Sequence, residues 1–216
     1  MWQIWKHRCI KVFENKGTHP NKIIMCIKNF CLKYNILSHG TNNNCRVGVL
    51  KPKKKWEKTP VQWKKLNFDA AFDKETKTCG IGLILRNCAG RWLEAMVKVA
   101  KARDSEQAEG LALLEVVEWI KTKAWSNIII EGDCKTIIEA VTSNFGNVLW
   151  QNHNLLSDIS RMVESLNNIE CTFIPRTSNE AADGLAKYAK KFACNQVWSE
   201  KPPRCIHSIL EMDNSV

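Results

Sequence analysis

The run Ile128-Ile129-Ile130 limits the fold of this chain more than any other feature. Three consecutive β-branched apolar residues without polar alternation suit a strand covered on both faces, and such strands belong to sheets packed between helices. The flanking segments agree. Val61 to Phe72 reads as a strand, with Leu66 and Phe68 on one face and Asn67 and Asp69 on the other. Gly80 to Arg86 is a second, and the turn Asn87-Cys88-Ala89-Gly90 leads into a third from Trp92 to Val99, which makes an antiparallel meander. Ser105 is placed to cap a helix running to about Thr122, with Ala108, Leu111, Ala112, Glu115 and Trp119 at helical spacing.

Beyond the isoleucines, Ile137, Ile138 and Val141 mark a short helix, and Leu155, Ile159, Met162 and Leu166 form the apolar stripe of another from Asn154 to Leu166. Ile169 to Ile174 is the last strand. Thr177 and Glu180 have the spacing of a capping box opening a final helix, with Ala182, Ala186 and Ala189 on one side. The order is βββαβααβα, an α/β fold. The tail after Cys194, with Pro202-Pro203, reads as irregular.

The net charge of +10 becomes informative once it is divided along the chain. Residues 1–65 carry 15 Lys+Arg against 2 Asp+Glu, and residues 66–216 carry 17 against 20, so the first third holds +13 and the rest −3. A basic arm on a mildly acidic globule is a phosphate-seeking segment attached to something else. Trp2 to Glu14 and Asn21 to Tyr34 read as helices within that arm. Lys51-Pro52-Lys53-Lys54-Lys55 reads as a charged, proline-broken linker, and Lys51, Lys53, Lys54 and Lys55 are candidate phosphate contacts. The expected division is a basic extension at 1–55, a domain at 56–198 and a tail at 199–216.

Other classes are disfavoured. The ten cysteines contain no Cys-x-x-Cys pair, the nearest two being Cys26 and Cys31, which speaks against a zinc ribbon or a redox motif. The start, Met1-Trp2-Gln3-Ile4-Trp5-Lys6-His7-Arg8, lacks the apolar core and small-residue cleavage site of a secretory signal, so an intracellular protein of nucleus or cytoplasm with reduced thiols is expected. No apolar run approaches the ~20 residues of a membrane span. The five histidines do not cluster and are expected at the surface, whereas Trp92, Trp119 and Trp125 are expected in or beside the core.

Four acids sit where this layout makes them unusual. Asp69 interrupts a strand, Glu109 lies early in the first helix of the α/β segment, Asp133 ends the most apolar strand, and Asp183 lies in the last helix. Each also has a structural reading: Asp133 suits a helix cap and Glu109 suits a helix N-terminus electrostatically. Asp69 and Asp183 resist that reading best, because neither caps anything.

The stretches Lys65-Leu66-Asn67-Phe68-Asp69, Gly80-Ile81-Gly82-Leu83-Ile84-Leu85-Arg86-Asn87 with Gly90, Ala108-Glu109, Glu131-Gly132-Asp133 and Asn179-Glu180-Ala181-Ala182-Asp183-Gly184-Leu185-Ala186 resemble, in order, the ribonuclease H-like domain common in plant genomes. That domain ends many non-LTR retrotransposon polyproteins and occurs as free-standing descendants. The resemblance covers about Trp56 to Trp198, with a weaker likeness upstream in Trp2–Arg8 and Val12–Lys16. It implies a five-stranded mixed sheet with helices on both faces and a catalytic, metal-binding cluster of Asp69, Glu109, Asp133 and Asp183. Asp69 would bridge two Mg²⁺ ions, Glu109 and Asp133 would hold the ion beside the leaving group, and Asp183 would complete the ion that activates water. Oxygen-only ligands select Mg²⁺ or Mn²⁺ over zinc. The implied activity is a metal-dependent endonuclease that hydrolyses the RNA strand of RNA–DNA hybrids, leaving 5′-phosphate and 3′-hydroxyl ends. Arg176 matches an arginine usual in plant relatives, and with Asn179 it is a candidate nucleic-acid contact. A monomer is expected.

The sequence departs from the pattern in three places. Ala70 stands where the family usually has Gly after its first Asp, and its methyl could crowd the substrate backbone. The loop Ile174-Pro175-Arg176-Thr177-Ser178 holds no histidine, a residue that ribonucleases H use there for product release. The basic protrusion of bacterial members has no counterpart, since residues 134–168 carry only Lys135 and Arg161 as cations. Ala70 and the missing histidine sustain a rival reading, a domesticated nucleic-acid-binding protein that keeps the fold with weak or no catalysis. A third reading, an interaction module using the aromatic arm, leaves Asp69 and Asp183 without a role.

Overall fold

Strand β1 (Lys64–Asp73) lies inside the sheet because both of its edges are paired. On one side it runs antiparallel to β2 (Thr78–Arg86), and on the other parallel to β4 (Ile128–Gly132). β3 (Trp92–Lys101) continues the meander beyond β2, and β5 (Ile169–Phe173) lies parallel to β4. A computed structural model describes residues 56–142 and 148–214. The arm helices expected at Trp2–Glu14 and Asn21–Tyr34, and the candidate contacts Lys51, Lys53, Lys54 and Lys55, lie outside these residues.

The mixed sheet and its α/β class are as expected, with one strand more. Gln196–Trp198 forms β6, antiparallel to β3, giving the order β5-β4-β1-β2-β3-β6. The tail read as irregular also contains a 3₁₀ turn at Arg204–Ile206 and a helix at His207–Asn214. Proline marks only where regular hydrogen bonding breaks, and here Pro203 precedes the turn instead of ending structure.

Strand alternation sends apolar residues to two separate cores. Leu66, Phe68, Ile81, Leu83, Leu85, Ile128 and Ile130 pack beneath α1 (Ser105–Lys123), α2 (Lys135–Thr142) and α3 (His153–Glu164). Ile84, Ala95 and Val97 face the other way, toward α4 (Glu180–Phe192), Ile206 and, on α5 (His207–Asn214), Leu210. Trp119 and Trp125 stack beside the first core at 5.1 Å, and Trp92 packs against the second.

α4 rests directly on the backbone of β2. A Cβ added to Gly82 would lie 2.3 Å from the Ala186 amide nitrogen and 2.4 Å from the Ala182 carbonyl oxygen. Gly80 and Gly82 therefore admit the alanine face of α4 where any side chain would hold it off. Gly82 is the register partner of Asp69, so this close approach brings the helix carrying Asp183 to the strand carrying Asp69.

Two caps differ from expectation. Asp104, not Ser105, opens α1, its Oδ1 accepting the Gln107 N–H at 2.8 Å. Thr177 does not open the last helix: it lies in a 3₁₀ turn at Arg176–Ser178, and Asn179 precedes Glu180 without a side-chain cap bond.

Candidate metal centre

Three of the four acids meet at one end of the central strands. Asp69 comes from β1, Glu109 from the second turn of α1, and Asp133 from the residue after β4. One carboxylate oxygen of each lies within 4.8 Å of the other two. Parallel pairing of β1 and β4 places Asn67 beside Glu131, so Asp69 and Asp133 follow two residues later on adjacent strands. α1 crosses that end because Ala108, Ala112 and Leu113 are buried in the core below it.

The electrostatics of the trio are unfavourable without a cation. Asp69 is buried, and that burial, with repulsion from Asp133 and Asp183, raises its pKa to about 7. Glu109 is raised well above the usual carboxylate range, first by burial and then by Asp69 and Asp133. The nearby backbone N–H of Ala70 offsets this only in part, and Oε2 is buried without a hydrogen-bond partner. An orphaned carboxylate oxygen beside two further carboxylates fits a hard divalent cation with oxygen ligands. Asp69, Glu109 and Asp133 are the residues that would hold it.

Asp183 is adjacent to the trio but outside it. It is close enough to raise the pKa of Asp69, and both of its oxygens are engaged by cations. Oδ1 lies 3.0 Å from Arg176 Nη2, and Oδ2 lies 2.5 Å from Lys187 Nζ. Arg176 is largely solvent-exposed, in the turn before α4, and its charge also lowers the pKa values of Asp69 and Glu109. Asn179, a candidate nucleic-acid contact, is instead 1% exposed. Its Nδ2 donates to the Phe68 carbonyl at 2.8 Å, tying the start of α4 to the residue before Asp69. Burial of its amide leaves Asn179 a positioning role, because a surface contact needs an exposed group.

Ala70 is half-buried, and its methyl packs against the core on the α1 side of the sheet. Lys187 and Trp56 carried no sequence signal of their own. Lys187 falls one helical turn after Asp183, a spacing that pairs charges on any helix. Trp56 is buried and donates its indole N–H to Asn67 Oδ1 at 3.1 Å, from the first residue of the expected domain, directly after the lysine-rich linker. The signal that could have found it is Asn67, a polar residue on the face of β1 that Asp69 shares.

The ribonuclease H fold recurs among solved structures. RNase H1 of the halophilic archaeon Halobacterium salinarum superposes with a TM-score of 0.55 at 20% identity, covering 60% of this chain and 98% of that one. LC11-RNase H1, isolated from compost and solved with an RNA/DNA hybrid, gives 0.54 at 17%, covering 60% and 98%. Among sequences, a candidate ribonuclease H protein of Arabidopsis thaliana is 22% identical over 221 residues, which is 99% of this chain and 34% of that protein. The uncharacterized protein YpeP of Bacillus subtilis is 29% identical over 126 residues, 56% of this chain and 55% of YpeP. The chain thus spans about a third of the first relative's length and about half of the second's. Residues 67–189 match the reverse transcriptase-like family, a span running from the strand of Asp69 to the helix of Asp183, and the chain belongs to that family and carries a ribonuclease H-like domain.

Proposed function

We propose that this protein is a divalent-metal-dependent endonuclease that cuts the RNA strand of RNA–DNA hybrids, using Mg²⁺ or Mn²⁺. The observation that carries this reading is the trio Asp69, Glu109 and Asp133, with ligand oxygens within 4.8 Å and Glu109 Oε2 buried without a partner. Burial first, and repulsion between the carboxylates second, raise the pKa values of Asp69 and Glu109; a cation of +2 reverses that balance. Bound ions supply charge that acidifies a water nucleophile and neutralises the scissile phosphate.

The remaining work falls to the chain. β1 and β4 hold Asp69 and Asp133 at fixed register, and α1 delivers Glu109 from above. Asn179 ties the start of α4 to the backbone beside Asp69, which sets where Asp183 stands. Arg176, exposed at the rim, offers a planar donor pair suited to phosphate. Hybrid selectivity in such a site rests on reading the ribose 2′-hydroxyls of one strand across a shallow minor groove.

The test is incubation of the purified chain with an end-labelled RNA–DNA hybrid, with Mg²⁺ or with EDTA. Cleavage of the RNA strand in Mg²⁺ alone, absent from the Asp69→Asn variant, is the expected result. A second reading, a nucleic-acid-binding protein without useful catalysis, draws on the engagement of both Asp183 oxygens by Arg176 and Lys187. Hybrid binding without cleavage at any Mg²⁺ or Mn²⁺ concentration would establish it instead.

A further inference from the structure

Arg176 and Lys187 approach Asp183 from two sides. Arg176 lies in the turn before α4, seven residues before the acid, and Lys187 stands one helical turn after it. Their side chains are 73% and 61% exposed, so both heads meet solvent while touching the carboxylate. Between them opens a groove of about 440 Å³, lined also by Glu180 and by Ile209 of α5. With Asp183 and Glu180 present, the two cations of this groove are balanced. If Asp183 turns toward a divalent ion, the groove is left with two cations against one acid.

We propose that Arg176 and Lys187 form a clamp with two successive partners, Asp183 before a divalent ion arrives and a backbone phosphate of the nucleic acid afterwards. The proposal rests on the metal-centre reading above and adds an order to it: metal first, nucleic acid second. Both cations are exposed and only the carboxylate is largely covered, so drawing Asp183 to a divalent ion returns the two cationic heads to solvent at a cost of about two- to fivefold in affinity. The released guanidinium presents a fork matched to phosphate oxygens, and the released ammonium presents a mobile point charge. Lys187 is therefore both a competitor of the metal and a grip on the substrate.

Two measurements on the full chain test this, and neither reads catalysis. In the first, Mn²⁺ is titrated without nucleic acid and free Mn²⁺ is followed by electron paramagnetic resonance. Lys187→Met and Arg176→Met should each tighten the weaker Mn²⁺ site by about two- to fivefold, the ratio equivalent to the loss of an exposed ion pair. In the second, binding of a fluorescent DNA duplex is followed by anisotropy, the duplex offering phosphates that a ribonuclease leaves intact. With saturating Mn²⁺ both variants should bind the duplex about two- to fivefold more weakly than the parent, and with EDTA they should match it. Unchanged or weaker Mn²⁺ affinity in the variants, or equal duplex affinity in Mn²⁺, overturns the clamp. The underlying reading is judged separately: Mn²⁺ uptake by the parent that disappears in Asp69→Asn upholds the metal centre whatever Lys187→Met shows. A parent that takes up no Mn²⁺ overturns both.

Discussion

Asn67 on β1 donates its side-chain amide to Glu131 Oε2 on β4 at 2.9 Å, two residues before Asp69 on one strand and two before Asp133 on the other. The contact belongs to a buried polar chain. Trp56 Nε1 donates to Asn67, Glu131 Oε1 pairs with Lys65 Nζ at 2.9 Å, and Lys65 also donates to the Glu57 carbonyl. The ring of Trp56 covers Arg86, whose guanidinium lies 4.4 Å from the ring centroid and 2.9 Å from Asp213 of α5. The register beneath the candidate metal centre is thus set by polar groups under a strap of chain.

Removing one ion of the buried Lys65–Glu131 pair leaves the other without its counterion. Glu131→Gln should cost about 3 kcal/mol, whereas the double change Lys65→Met with Glu131→Gln should cost clearly less than the two singles together. Urea denaturation of the four proteins checks this, and additive losses would show that the pair is not coupled.

Trp56 should prove part of the domain. Trp56→Ala removes a buried ring and its hydrogen bond, and is expected to destabilise by about 3–5 kcal/mol; Trp56→Phe keeps an aromatic ring but leaves Asn67 Oδ1 without its donor, and should cost about 1–3 kcal/mol. Thermal unfolding distinguishes the two. Equal melting temperatures for Trp56→Ala and the parent would mean that the strap does not seal the sheet.

The metal-free protein should lose stability as pH rises. Asp69 has a pKa of about 7 when folded against an ordinary value of 3.8, so the folded state binds the proton more tightly. Stability is then full below about pH 4 for this group and falls through the window up to about 7, by on the order of 4 kcal/mol. Asp69→Asn should lessen that slope, leaving the part that buried Glu109 contributes, and stabilise the metal-free fold at neutral pH while abolishing cleavage. Denaturation in EDTA at several pH values measures it, and a parent whose stability in this window rises with pH contradicts the site electrostatics.

The Ala70 methyl packs against the core, so Ala70→Gly should lower stability by roughly 0.5–1 kcal/mol through backbone freedom and lost contact. Cleavage at saturating hybrid should stay within about twofold of the parent, since the change leaves Asp69, Glu109 and Asp133 in place. A large gain in cleavage rate would show instead that the methyl crowds the substrate.

Charge along the chain yields the last expectation. A chain shortened to residues 56–216 should bind hybrid more weakly, and with a shallower salt dependence, than the full chain, because fewer counterions are released. Affinities measured at several salt concentrations decide this; identical slopes would show that the +13 of residues 1–65 does not grip nucleic acid.

Which residues face which core was legible from the sequence, since strand and helix periods are local properties of the chain. Leu66 and Phe68 lie opposite Asn67 and Asp69, and Ala182, Ala186 and Ala189 mark the buried side of α4. The order of the elements and the acids Asp69, Glu109 and Asp133 followed from the same reading and from family resemblance. Tertiary structure decided the rest. Trp56 stands at the expected start of the domain, but its partners, Asn67 and Arg86, lie 11 and 30 residues away, and nothing local announces those contacts. Gln196–Trp198 becomes a strand only because β3 offers an open edge, and three residues are too few to show a period. Asp183 could be placed on its helix by sequence, but how near α4 brings it to Asp69, and its pairing with Arg176 from the preceding turn, appear only in the packed structure. Periodicity fixes the face a side chain takes, while charge partners depend on distances that exist only once the layers have packed.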